Sequence, residues 1–218
     1  MIGVVAALSS EAEILLEQTE TFRSLIVSGK QVHVGRAFGK DVAVVICGVG
    51  KVNAALGTQL AVSKFDADKI FNFGVAGGLN KTTELCGVYQ IKAAVQFDFD
   101  LTQLNGTKIG TLDEYKENYL KLSSFRAPLK KKNLGTADRF NDSPEDYLLL
   151  TKELKADIRD MEGAAIVQAA NAAQLPVYAV KAISDVAGSG STTEQYLLNR
   201  KRALQNLKAA LPMLFEEL

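Results

Sequence analysis

Apolar residues recur along this chain with two rhythms, and each predicts a different kind of element. Runs that are apolar at nearly every position, Ile2 to Leu8, Lys69 to Gly74 and Pro176 to Ala187, read as strands buried on both faces, since such a strand has no polar side to show. Alternating segments at Ser24 to Gly29, Gln31 to Phe38 and Asp41 to Cys47, separated by Ser28-Gly29-Lys30 and Gly39-Lys40, predict antiparallel strands joined by turns. Val88 to Val95, Leu134 to Phe140 and Ile158 to Met161 add further strands, and Gln96 to Thr102 prolongs the first of them with Asp98 and Asp100 on one side. Helical spacing marks Val52 to Ser63, Gly163 to Ala173 and Thr193 to Leu214, the last with Arg200, Lys201 and Arg202 on a solvated face. Ser143-Pro144-Glu145-Asp146 starts another helix, with an N-cap serine and proline at the first position. From Asn105 to Arg126 the chain is polar and weakly patterned, and the expectation is a loop with a short helix around Glu114 to Leu122. Strands and helices alternate with no repeat and no long linker, which predicts one α/β/α domain over residues 1–218.

Composition narrows the chemistry. A chain of 218 residues is long enough to bury a sizeable core as one large domain. With 25 basic and 25 acidic side chains no net field points to nucleic acid or an anionic membrane, and Lys130-Lys131-Lys132 reads as a solvated turn. No apolar run reaches the roughly 18 residues of a membrane span, and Met1-Ile2-Gly3 lacks a charged leader, so the expectation is a soluble, cytoplasmic protein. Cys47 and Cys86 stand far apart without ligand spacing, which predicts no disulfide framework. The lone histidine, His33, falls in an alternating stretch and reads as a strand residue. With no metal or organic cofactor expected, acid–base chemistry falls to carboxylates.

Asp185 closes the apolar strand Pro176 to Ala187 and is followed by Gly188-Ser189-Gly190-Ser191, placing an acid at the strand end where open α/β sheets bind ligands. Capping a helix or satisfying a turn is an equally available role there. Ser10 and Glu13 have capping-box spacing, which gives Glu13 a structural task and leaves Glu11 at the first helical position, where the helix dipole favours negative charge. Glu162 opens the helix after Met161, making a third acid at a strand-to-helix junction. Gly48-Val49-Gly50-Lys51 has neither the spacing nor the Ser/Thr of a Walker loop. Val75-Ala76-Gly77-Gly78-Leu79 suits either close approach of a substrate to main chain or a tight turn. Phe140 reads as core or as a platform for a flat ligand.

Ile2 to Glu11, Gly48 to Ala55, Gly74 to Leu79, Asp160 to Ala165 and Ala182 to Ala187 resemble, in order and over nearly the whole chain, the blocks of the nucleoside phosphorylase superfamily, most closely the 5′-methylthioadenosine/S-adenosylhomocysteine nucleosidases. The resemblance implies a three-layer α/β/α sandwich around a mixed, partly closed sheet, and a hydrolase that cuts the N-glycosidic bond of a purine nucleoside. By position it implies that Glu11 activates water, that Met161 and Glu162 hold the ribose, and that Asp185, after Ser184, assists the leaving base at N7. It also implies that Phe140 stacks on the purine, that the main chain of Asn141 meets the base edge, and that Leu8, Val75 and Gly77 lie along the substrate. Val75 departs from the family, standing where the bacterial nucleosidases carry serine, and Leu101 to Gly106 replaces a more aromatic wall, leaving Leu8 and Leu104 to form an apolar 5′ pocket. The resemblance also implies a homodimer whose partner closes the 5′ end. A futalosine hydrolase, a phosphate-dependent phosphorylase and a non-catalytic nucleoside-binding protein are the alternatives. Phe71 to Val75 carries no arginine to hold phosphate, which favours water as nucleophile.

Overall fold

In the computed structural model, which describes residues 1–79 and 82–218, β1 (Ile2–Ala6) lies between β4 (Lys40–Ile46) and β5 (Lys69–Gly78), parallel to both. Every residue of β1 is buried, as its unbroken apolar run requires. β2 (Thr19–Val27) and β3 (Lys30–Ala37) extend this side as an antiparallel wing on β4. On its other side β5 runs parallel to β10 (Val177–Val186), and its last residues also pair with β9 (Ile158–Asp160). β9 joins β8 (Lys131–Thr136), β8 joins β6 (Val88–Gln96), and β6 returns to β10. The sheet therefore closes on itself at one end and stays open at the other, and the short β7 (Leu120–Lys121) hangs on β6.

Helices cover both faces. α2 (Lys51–Phe65) and α5 (Gly163–Ala172) pack on each other over one side, and α1 (Ser9–Leu16) and α6 (Thr192–Glu217) over the other, so the expected three-layer α/β/α sandwich with a partly closed mixed sheet is present. Phe71, Phe73 and Phe215 are fully buried between the sheet and α6. The small residues opening α5 allow close packing: a Cβ on Gly163 would stand 2.3 Å from Leu134 Cδ2. Ser143 caps α4 (Pro144–Leu148) by accepting from the Asp146 N–H at 3.2 Å, as its Ser-Pro start predicts, and a π-helical turn, Leu149–Leu154, follows. No helix among the described residues is long and apolar enough to cross a membrane.

Four expectations need correction. α1 begins two residues early, and its capping acid is Glu11 at the third helical position, because Glu11 Oε2 accepts from the Leu8 N–H at 3.0 Å while Glu13 points outward. No helix forms at 114–122; a four-residue helix, α3 (Thr102–Asn105), stands earlier, and the end of the segment is β7. β6 ends at Gln96, so Asp98 and Asp100 do not share a strand face: Asp98 pairs with Lys51, and Asp100 caps Thr102. Lys132 is no solvated turn residue but a buried strand residue with an ion pair to Asp157 at 3.5 Å. The other boundaries differ by a few residues, most at β2, which begins at Thr19 instead of Ser24, and at β5, which runs on through the glycines to Gly78 instead of turning.

Candidate active site

A cavity of about 390 Å³ opens where β1, β5, β9 and β10 end together. Its wall includes Leu8, Glu11, Val75, Gly77, Phe140, Met161, Glu162, Ser184 and Asp185, all expected from the sequence. Asn141, expected to meet the base edge through its main chain, is not among the lining residues; its side chain donates to Asp146 at 2.9 Å and accepts from the Ser143 N–H. Leu104 is absent from the wall as well and is 80% exposed on α3.

Glu11 is held by main chain. Its Oε1 accepts from the Val75 N–H at 2.8 Å and its Oε2 from the Leu8 N–H at 3.0 Å. Gly74 makes this approach possible, since a Cβ there would fall 2.4 Å from Oε1. Val75 thus contributes its N–H to the site, whatever its side chain lacks relative to serine. Burial pushes the Glu11 pKa up, opposed by the positive charge of Lys181 and by these N–H donors.

Glu162 stands at the N-cap of α5, and its Oε1 accepts from the Gly50 N–H at 2.9 Å, so the glycine segment before α2 positions an acid instead of a phosphate. Gly50 takes φ +99°, a left-handed conformation that favours glycine. Burial, reinforced by neighbouring Asp160, pushes the Glu162 pKa up to about 7 despite Lys181 and the Gly50 N–H.

Asp185 lies beside an irregularity in β10, where the pairing register with β5 shifts between Ile183 and Asp185; such a shift re-aims side chains locally. Ser184 donates to its Oδ1 at 2.8 Å. Burial raises the Asp185 pKa, opposed by the Ser184 hydrogen bond and the charge of Arg159. Its Oδ2 is buried without a hydrogen-bond partner, an arrangement costing ~1–3 kcal/mol that a ligand can relieve. Half-exposed Phe140 (49%) stands at the mouth, edge-on to Tyr196 of α6 with ring centroids 5.8 Å apart, which favours the platform over the core.

Sequence reasoning missed a second set of groups. Lys181, 2% exposed in the middle of β10, pairs with Asp160 at 3.0 Å. Burial alone lowers a lysine pKa, but Asp160, Glu162 and Glu11 outweigh it and hold this amine above its ordinary value. Asp160 also accepts from Thr136 Oγ1 at 2.6 Å and caps the Gly163 N–H. A lysine inside an apolar strand run was the available signal, because such a charge needs buried partners. Arg139, Arg159, Thr193, Tyr196 and Leu197 also line the cavity and carried no pattern of their own. His33 is a strand residue bonded to Ser24 Oγ at 2.8 Å, both cysteines are free and buried, and no metal-holding cluster of His, Cys, Asp and Glu occurs among the described residues.

Residues 1–215 match the family model described as the phosphorylase superfamily. A 5′-methylthioadenosine/S-adenosylhomocysteine nucleosidase of Marinomonas sp. (strain MWYL1) is 30% identical over 214 residues, which cover 90% of this chain and 91% of that protein. A solved nucleosidase of the same name from Colwellia psychrerythraea 34H, in complex with adenine, is 27% identical with a TM-score of 0.81, over 95% of this chain and 94% of its own. The native futalosine hydrolase of Helicobacter pylori strain 26695 has a TM-score of 0.91 over 100% of this chain and 97% of its own at 24% identity, a likeness of fold.

Proposed function

The chain belongs to the phosphorylase superfamily and, within it, to the 5′-methylthioadenosine/S-adenosylhomocysteine nucleosidases, and from that premise we propose how its own residues cut the N-glycosidic bond of such a purine nucleoside. The observation that carries the reading is the convergence of Glu11, Glu162 and Asp185, from three separate junctions of the chain, on one cavity. The base lies toward Asp185 and Phe140, the ribose against Met161 and Glu162, and the attacking water beside Glu11.

Asp185, kept protonated by burial, donates to N7 so that the electron pair of the breaking C1′–N9 bond is accepted by a neutral base. Positive charge developing on the ribose is stabilised by the Glu162 carboxylate at its hydroxyls. Glu11 takes one proton from water as the remaining hydroxide oxygen bonds to C1′. The products are the free purine and the free sugar.

Water rather than phosphate suits this site. Lys181 is surrounded by Glu11, Asp160 and Glu162, Arg159 stands with Asp185 at the base end, and Arg139 pairs with Asp146 at 3.3 Å. A phosphate dianion entering beside Glu11 meets like charge. Methylthioadenosine, S-adenosylhomocysteine, adenosine, inosine and futalosine, each incubated with and without phosphate, test the reading. We expect adenine from the first two, at a rate that added phosphate does not raise and with free sugar as co-product. Sugar 1-phosphate as product makes the protein a phosphorylase; release from futalosine alone makes it a futalosine hydrolase; a purine nucleoside bound but uncut for hours makes it a binding protein.

The homodimer belongs to the same proposal. Val49 lines the cavity at 44% exposure, and Val52 and Leu56 continue an apolar stripe on α2 at 72% and 58%. A second copy covering this stripe would also narrow the open end of the cavity. Light scattering is expected to give twice the chain mass; a monomer at micromolar concentration removes the claim.

A further inference from the structure

The cavity wall holds two buried polar atoms that face each other with nothing between them. Arg159 leaves β9, passes Gly77, and ends with Nη2 4.0 Å from Oδ2 of Asp185 and 4.0 Å from Oδ1 of Asp142, while Nη1 donates to Asn141 Oδ1 at 3.5 Å. Gly77 gives the guanidinium room, since a Cβ there would stand 3.1 Å from Arg159 Nε. At 4.0 Å the Asp185 contact is too long for a hydrogen bond, and both Arg159 Nη2 and Asp185 Oδ2 lack any hydrogen-bond partner. The proposed reaction uses Asp185 and leaves Arg159 without a task.

We propose that Arg159 is a specificity-determining residue for the base, which with Asp185 forms a two-point reader of the N7/C6 edge that favours a 6-oxopurine over a 6-aminopurine. The proposal rests on the placement of N7 at Asp185. That edge of a 6-oxopurine presents two acceptors, N7 and O6, whereas adenine presents an acceptor at N7 and a donor at N6. A guanidinium only donates. Opposite O6 it completes a hydrogen bond; opposite an amino group it meets another donor, and its own buried N–H stays unpaired. A site that hydrogen-bonds one partner discriminates strongly against the analogue lacking it, for this reason.

The guanidinium also acts on the chemical step. As C1′–N9 breaks, the electron pair remains on the base, and until the N7 proton has fully transferred, part of the charge in a 6-oxopurine collects on O6, where a fixed positive group stabilises it. Proton balance is unchanged: Asp185 supplies N7, and Glu11 receives the proton that water gives up. Activity on methylthioadenosine and stronger relative activity on its 6-oxo counterpart are therefore compatible in one cavity.

Base release from 5′-methylthioinosine and 5′-methylthioadenosine, measured with wild type, Arg159→Met and Arg159→Lys, tests this. The two nucleosides differ only at the base, so the 5′ end cancels in the ratio of their kcat/KM values. We expect wild type to release hypoxanthine, Arg159→Met to lower the inosine-to-adenosine ratio at least tenfold, and Arg159→Lys, which retains charge without the planar fork, to fall between. A ratio unchanged within twofold in Arg159→Met, or a wild type with the higher kcat/KM on 5′-methylthioadenosine, overturns the proposal. Should neither nucleoside be cut, the nucleosidase reading itself fails, and calorimetry with free hypoxanthine and adenine then decides. A loss of hypoxanthine affinity in Arg159→Met at least tenfold greater than that of adenine upholds the two-point reader, and equal losses end it. If Arg159→Met does not fold, the wild-type comparison and the ratio in Arg159→Lys decide in its place: a ratio lowered more than twofold upholds the proposal, and one unchanged within twofold overturns it.

Discussion

Asp185→Asn and Glu11→Gln are each expected to slow base release by two orders of magnitude or more, the scale of a positioned acid or base. The two losses have different causes, and one substrate change separates them. An asparagine amide still donates a hydrogen bond toward N7 but has no proton to transfer, so the base must depart as an anion. A ribosyl substrate whose leaving group departs readily without protonation, such as 4-nitrophenol, avoids that requirement. Asp185→Asn should recover most of its deficit on such a substrate. Glu11→Gln should not, because its deficit lies in the attack of water, which both substrates share. The Glu11 carboxylate is fixed by the Val75 and Leu8 N–H groups, and a glutamine amide can offer an oxygen to only one of them. Equal recovery in both variants, or full activity in either on methylthioadenosine, would show that the roles are wrongly assigned.

The order of blocks along the chain made the architecture legible, because each buried strand is marked by an unbroken apolar run and each helix by its spacing. Glu11, Glu162 and Asp185 were legible as acids at element junctions, which a sheet gathers at one rim. The reason Glu11 is held where it is was not. The capping box assigned to Ser10 and Glu13 turns on a register difference of two residues, and the true partner of the Glu11 carboxylate includes Val75, 64 positions away. Arg159 and Lys181 were missed for a related reason. A charged residue inside a strand shows its meaning only through the residues packed against it: Asp160, Glu162 and Glu11 for Lys181, and Asp185, Asp142 and Asn141 for Arg159. Asn141 is a different case: the expectation concerned its main chain, while its side chain follows the local turn to Ser143 and Asp146, a contact that short-range sequence reading could have anticipated.

Lys181→Met is expected to unbalance the whole acidic cluster, and its signature is a change in pH dependence as much as a loss of rate. In the native protein one buried ammonium faces Asp160 at 3.0 Å and also opposes the raised pKa values of Glu11 and Glu162. Methionine fills the volume without charge, leaving three carboxyl groups to repel one another, and breaking a buried ion pair from one side costs about 3–5 kcal/mol. The sign of the pH effect follows from proton binding. A carboxyl whose folded pKa lies above its unfolded value binds more protons when folded, so raising pH through that interval weakens the fold. For Glu162 the interval runs from 4.5 to about 7 in the native protein, and without Lys181 it extends further upward. The melting-temperature deficit of Lys181→Met should therefore be smallest near pH 5 and widen toward pH 8. The acid limb of kcat/KM, set where Glu162 must ionise to face the developing cation, should move from near 7 to higher pH. Lys181→Arg retains the charge and is expected to restore the native limb more fully than it restores stability, since the longer fork must fit a fully packed strand. A deficit that stays constant with pH, or an acid limb that stays in place while the rate falls, would leave Lys181 a packing residue and the acids independent of it.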